Sequence, residues 1–328
     1  MDDMKLLQDL RAGVPEPDAE RLAPLRGRLV SAATGRRRAR SLALRALIGG
    51  ALAAGLAAAV VVAVPFGGSP APSPVPAVDT GRPGDVVVLE RAALVAERRQ
   101  TTEPRPDQWV YTRVRNQQPA DGQVTIREEW IRYDGKQIAG RGEDGRIGIS
   151  DVPPDPDDDD LSPQAYRAKL MELPTDPDEL LAHVSGDRHW IDKPREEGVP
   201  RGSEPPDARA YRVLMVYLNQ QAVMPPKVEA AIYRALARIP GVRISLGMHD
   251  AQGREAIGVY FENEPGDTGV STRYQLLDPD TYRLLEDRTV WHRAQYAHDG
   301  GDLMFEAGSV FAVTMLADSI VDEPGQTS

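Results

Sequence analysis

The spacing of apolar positions changes repeatedly along this chain, and each change marks a different kind of element. Residues 46–64, "ALIGGALAAGLAAAVVVAV", hold no charge and no strongly polar side chain. At ~1.5 Å per residue a helix over this run is about 28 Å long, close to the ~30 Å thickness of a bilayer's hydrocarbon core. Upstream, Leu6, Leu7 and Leu10, and then Leu22, Leu25 and Leu29, recur at helical spacing in two short amphipathic patterns. Helices that short bury no core of their own and are marginal in water unless they dock on a partner.

Downstream of residue 84 the pattern predicts a folded domain. "DVVVLERAALVAERR" reads as a helix with Asp85 at its cap. The period then falls to two. Residues 108–115 predict a strand, and "TIREEWIRYDGKQIAGR" predicts two strands turning at Asp134 and Gly135, with "EDGRIGIS" a further strand. Two helices follow. One is capped by Ser162 with Pro163 in its first turn; the other is capped by Asp176, with Pro177 next and Glu179 at the capping-box position. Residues 185–207 read as a loop and "ARAYRVLMVYLNQ" as a helix. The clearest helix lies in "PPKVEAAIYRALARIPG", where Val228, Ala231, Ile232, Ala235, Leu236 and Ile239 form one apolar stripe. From Val242 onward the period is two again, with hairpins turning at 250–253 and at 278–280 and a last strand within "GSVFAVTMLADSIVDE". Strands, then helices, then strands predict an α+β fold with an antiparallel sheet rather than a parallel nucleotide-binding sheet.

Charge gives the apolar run a direction. Residues 1–45 carry ten Lys/Arg against six Asp/Glu, and the remainder carries 29 against 44. Arg36, Arg37, Arg38, Arg40 and Arg45 flank the run on one side only, and "PFGGSPAPSPVP" follows on the other. Positive charge stays inside, so a span over 46–66 leaves 1–45 as a cytoplasmic tail and the rest outside. The rival reading is a cleaved secretory signal. Against it stand the long segment before the run and a run longer than the ~7–15 apolar residues of a signal core. Residues 67–84 form a Pro/Gly/Ser-rich linker that is extended and semi-rigid. The expected organisation is therefore tail 1–45, transmembrane helix 46–66, linker 67–84, extracytoplasmic domain 85–322 and a disordered C-terminus 323–328. The acidic body argues against nucleic-acid binding.

Catalytic signatures are sparse. The chain has no cysteine, which excludes disulfides, thiol nucleophiles and cysteine-bound zinc. It has no G-x-S-x-G, no phosphate-binding glycine loop with Lys and no H-E-x-x-H. "HDGGD" at 298–302 is better explained by a Gly-Gly turn between strands than by a metal site. Asp155, Asp157, Asp158, Asp159 and Asp160 lack the glycine and distal glutamate of a calcium loop. Glu128 and Glu129 are neighbours on a strand, so they face opposite sides and cannot act on one bond. No catalytic, cofactor-binding or metal-binding residue is assigned, and no cofactor is expected. Trp109, Tyr111, Trp130, Tyr260 and Tyr274 fall in strand-like segments and are the candidate lining of an apolar cavity; ordinary packing between sheet and helices needs the same residues.

"PPKVEAAIYRALARIPGVRIS", "DAQGREAIGVYF" and "YQLLDPDTYRLLEDRTVW", with "MDDMKLLQDLRAGVPEPDAERL" ahead of the Arg-flanked run, resemble a family of actinobacterial single-pass membrane proteins of unknown function. The resemblance covers 1–66 and about 225–292. It implies partnership with an extracytoplasmic-function sigma factor and an outer domain similar to lipoprotein-carrier folds, an incomplete antiparallel barrel around an apolar cavity. It implies no catalytic residue. The Cys/His zinc motif of one common anti-sigma class is absent. Two functions follow as expectations. The first is a non-enzymatic sensor whose tail binds a cytoplasmic sigma factor through Leu6, Leu7, Leu10, Leu22, Leu25 and Leu29. The second is a membrane-tethered lipid- or lipoprotein-binding module with an inert tail.

Overall fold

The computed structural model describes residues 82–119, 122–142, 144–153, 162–192, 204–262, 270–296 and 301–328. The expected tail, its six leucines and the 46–66 span lie outside the described residues. No helix among the described residues is long and apolar enough to cross a membrane.

The domain is α+β. Its helices are α1 (Pro83–Glu97), α2 (Pro163–Met171), α3 (Pro177–Gly186), α4 (Arg188–Asp192), α5 (Pro206–Leu218) and α6 (Pro226–Leu236). Its strands are β1 (Trp109–Gln117), β2 (Val124–Arg132), β3 (Gln137–Arg141), β4 (Ile147–Asp151), β5 (Val242–His249), β6 (Glu255–Phe261), β7 (Ser271–Leu277), β8 (Leu284–Trp291), β9 (Gln295–Tyr296), β10 (Leu303–Phe305) and β11 (Val310–Val321). Nine strands make one sheet in the order β4-β3-β2-β1-β11-β8-β7-β6-β5, while β9 and β10 form a separate hairpin. Every pairing in the large sheet is antiparallel. Two meanders, β1–β4 and β5–β8, are thus joined through β11, and the sheet is open, with β4 and β5 as its edges. The β5 edge carries a bulge between Ser245 and Met248, a device that discourages pairing with another chain.

Helices cover one face of this sheet. α6 is the centre of that layer because its apolar stripe is broad and continuous. Val228, Ala231, Ile232, Ala235 and Leu236 are all buried, together with Leu89 and Ala93 of α1, Leu180 of α3 and Leu214 of α5. The sheet answers with Val110, Val242, Ile257, Val259 and Leu277. α1 runs antiparallel to α6: Arg234 of α6 pairs with Glu90 and Glu97, and Arg99, just past the end of α1, pairs with Glu229. Tyr233 donates to the Tyr282 carbonyl at 2.6 Å, tying α6 to the β7–β8 turn.

Local chemistry sets most element ends. Ser162 accepts from the Ala165 N–H, and Asp176 accepts from Asp178 and Glu179, so both expected caps form. Gly135 sits in the β2–β3 turn at φ +74, where an added Cβ would meet Ser162 Cβ at 2.4 Å. Only glycine allows that turn to close on the start of α2.

Four expectations change. Asp85 is not a cap: α1 starts at Pro83 after Arg82, and Asp85 falls in its first turn. Proline's fixed φ suits that first position, which moves the start upstream. The 185–207 loop contains α4. The β2–β3 connection spans 133–136 rather than the Asp134–Gly135 pair alone. The C-terminal residues 323–328, expected to be disordered, lie on the sheet: Trp130 donates to the Gln326 carbonyl at 2.7 Å and Ser319 to the Thr327 carbonyl at 3.0 Å.

Candidate functional site

The face of the sheet turned away from the helices is the candidate site. Strand periodicity places the residues. Trp109, Tyr111, Arg113 and Arg115 of β1 point to this face, and their cross-strand partners are Arg132, Trp130, Glu128 and Ile126 on β2. On β11 the partners are Val321, Ser319 and Ala317, then Thr314 after a bulge between Arg113 and Val114. The row continues through Glu286 on β8, Leu276 on β7 and Gly258 on β6.

The five predicted aromatic residues share this face but form two groups. Trp109, Tyr111 and Trp130 cluster with Ala139 and Val321, and the Tyr111 and Trp130 ring centroids are 4.9 Å apart. Tyr260 and Tyr274 pair at 5.2 Å across the other meander. β11 and β8 separate the groups, a step of about 14 Å at ~4.8 Å per strand. The first group is packed rather than hollow: Trp130 is 0% and Tyr111 1% exposed. Residues 322–328 lie against it, held by the Trp130–Gln326 bond, by Gly325 against Ile147, and by Asp322 receiving bonds from Arg105 and Gln108.

Each carboxylate on this face is engaged. Glu128 accepts from the Tyr111 hydroxyl at 2.9 Å and from Arg141, whose guanidinium also lies 5.7 Å from the Trp130 ring centroid. The bond from Arg141 holds the Glu128 carboxyl below its usual range, with the Tyr111 bond adding to it against burial. Burial, and then Glu128 itself, push the Tyr111 phenol up, so it stays a neutral donor. A folded-state value below the unfolded one means that ionised Glu128 stabilises the fold above pH ~4.3, and that this is lost as pH falls through the lowered value. Glu128→Gln is therefore expected to cost about 1 kcal/mol at pH 7 in urea unfolding, with the gap to the parent closing below about pH 4. A gap that persists unchanged at pH 3 contradicts the assignment. Glu129, its neighbour, opposes Thr112 on the other face, and burial raises its carboxyl. The two acids do not share a site.

A second polar group was not anticipated from the sequence. Glu286 is 0% exposed and accepts from Arg288 Nε at 2.6 Å, from the Thr314 hydroxyl at 2.6 Å and from the Ala251 N–H at 2.8 Å. Ala251 belongs to the β5–β6 turn. In the same turn Asp250 pairs with Arg254, which donates to the Met315 carbonyl at 2.8 Å. The turn is thereby clamped over β8 and β11. The one available signal was Glu286 and Arg288 two apart in "LLEDRTVW", which puts both on one strand face. Among the described residues no cluster of three or more His, Asp or Glu is arranged to hold a metal ion. Part of "HDGGD" lies outside the described residues, although β9 and β10 do flank it.

Compared with protein-family models, with curated proteins and with solved structures, the chain matches none.

Proposed function

We propose that this chain is a non-enzymatic, single-pass membrane protein of the cell envelope. Its α+β domain lies outside and binds a ligand on the helix-free face of the sheet, and its first 45 residues lie in the cytoplasm and carry the signal to a regulator such as a sigma factor. The observation that carries this reading is the one-sided cover of the sheet. Helices bury one face, while the other keeps Tyr260 and Tyr274 half-buried beside arginines, with Trp109, Tyr111 and Trp130 packed beneath residues 322–328, and its Glu128 and Glu286 carboxylates are tied into ion pairs, as in a binding surface rather than a reaction centre. The open antiparallel sheet with helices on one face also accords with the incomplete barrel that the family resemblance implies. The Arg-flanked apolar run supports a retained span with the N-terminus inside.

The experiment is a comparison of the full chain with a variant lacking residues 2–35, each extracted from its host membrane in mild detergent. The full chain is expected to bring down a sigma factor that the shortened chain does not. Recovery of the same proteins by both leaves the second reading, a tethered lipid- or lipoprotein-binding module with an inert tail. The exposed apolar residues described next favour a lipid contact on either reading.

A further inference from the structure

We propose that one end of the sheet is a membrane-facing surface, seated at the lipid headgroup boundary by exposed apolar side chains. This rests on the anchored reading and adds an orientation to it.

Among the described residues nine large apolar side chains are exposed, and the registers bring four of them to one end. Gln117 of β1 pairs with Val124 and with Ala312, Val310 with Val290, Ser271 with Trp291, and Val242 with Phe261. These pairs mark a common edge formed by the start of β2, the end of β8 and the start of β11. The hairpin β9–β10 leaves from the same edge, between β8 and β11. Val124 and Ile126 of β2 are exposed there. So are Tyr296 and Leu303, which stand directly opposite each other on β9 and β10. Each of the four is between 45% and 58% exposed. Isolated exposed apolar residues are ordinary, but four large ones gathered on two neighbouring hairpins are a surface.

α1 begins at this end. It runs antiparallel to α6, whose C-terminus leads into the start of β5 at this end. Arg99, just past the C-terminus of α1, reaches the Thr281 carbonyl in the β7–β8 turn at the opposite end. Val87, in the first helical turns, is 66% exposed and adds to the same end. The chain therefore reaches the domain at the end that carries these five exposed apolar residues, and the candidate span at 46–64 lies upstream of it. Residues 65–82, at up to ~3.1 Å each when extended, are long enough to let this end either reach the bilayer or stand off it. The apolar side chains decide for contact. Arg115, cross-strand from Ile126, and Arg293 stand at this end, and the long stem of an arginine lets its charged head sit at the headgroup level. Asp302 and Glu306 lie nearby, so net charge does not drive the docking.

Because the chain has no cysteine, Val124→Cys, Leu303→Cys and Gln252→Cys each give a single labelling site for a bimane fluorophore. Gln252 is exposed in the β5–β6 turn at the opposite end. The full chain is reconstituted in vesicles of phosphatidylcholine and phosphatidylglycerol containing a headgroup-nitroxide lipid, then washed with carbonate. Most of the emission from positions 124 and 303 is expected to be lost to the nitroxide, while that from 252 is retained. Adding Ile126→Asp and Tyr296→Asp is expected to restore emission at 124 and 303. Carbonate-resistant chain with emission intact at all three positions overturns the docking and leaves the anchored reading standing. Chain released by carbonate overturns both.

Discussion

Replacing Trp130 with alanine is expected to cost about 3–5 kcal/mol of stability, read from the urea midpoint of the protein. The indole is fully buried at the centre of the N-terminal meander, between Tyr111 on β1 and Ala139 on β3. Truncation removes a fully buried indole from that cluster and leaves a cavity between three hydrogen-bonded strands. It also removes the N–H that holds the Gln326 carbonyl, so residues 322–328 lose one of their anchors. Trp130→Phe separates the two effects. It keeps most of the ring and loses only the donor, for an expected cost of about 1–2 kcal/mol. A loss under about 1 kcal/mol for the alanine variant contradicts the packing described for this face.

Arg288→Met is expected to cost about 3–5 kcal/mol, because it leaves the Glu286 carboxylate buried without its cation. Thr314 and the Ala251 N–H remain as donors, but neither supplies charge. The double replacement Arg288→Met with Glu286→Leu is expected to recover most of that loss. A buried ion pair often gives way to apolar residues of similar volume at little cost, whereas breaking it does not. The double variant forfeits the bond from Ala251, so the β5–β6 turn should exchange its amide hydrogens faster even where global stability is regained. A near-neutral single variant contradicts the structural role given to this pair.

The helical layer was legible in the sequence because its signals are local. The stripe of α6 needs only a period of 3.6, and the Ser162 and Asp176 caps need only their own first turns. The hairpins at 250–253 and 278–280 are likewise written in turn residues. The position of β11 was not legible. It pairs with β1 across some two hundred positions of sequence, and nothing within "GSVFAVTMLADSIVDE" tells which strand it will join. That one long-range pairing splits the five aromatic residues into two groups, which is why a single apolar lining was a reasonable expectation and an incomplete one. The contact of residues 322–328 was missed for a related reason. "DEPGQTS" has the composition of a solvated end, and its attachment depends on a tryptophan donor far away in sequence. The buried Glu286 was hidden because a carboxylate in a strand usually faces water, and the clamped turn above it removes that water.

The account depends most on whether the apolar run before the domain is retained. The direct measurement is the intact mass, with the N-terminal sequence, of the protein extracted from the membrane of its own host. The account predicts a mass that includes residues 1–66, which keeps the tail on the cytoplasmic side and the domain anchored outside. A chain that begins within the Pro-rich segment 67–84 would contradict it, since the run would then be a cleaved signal and the domain an unanchored binding protein.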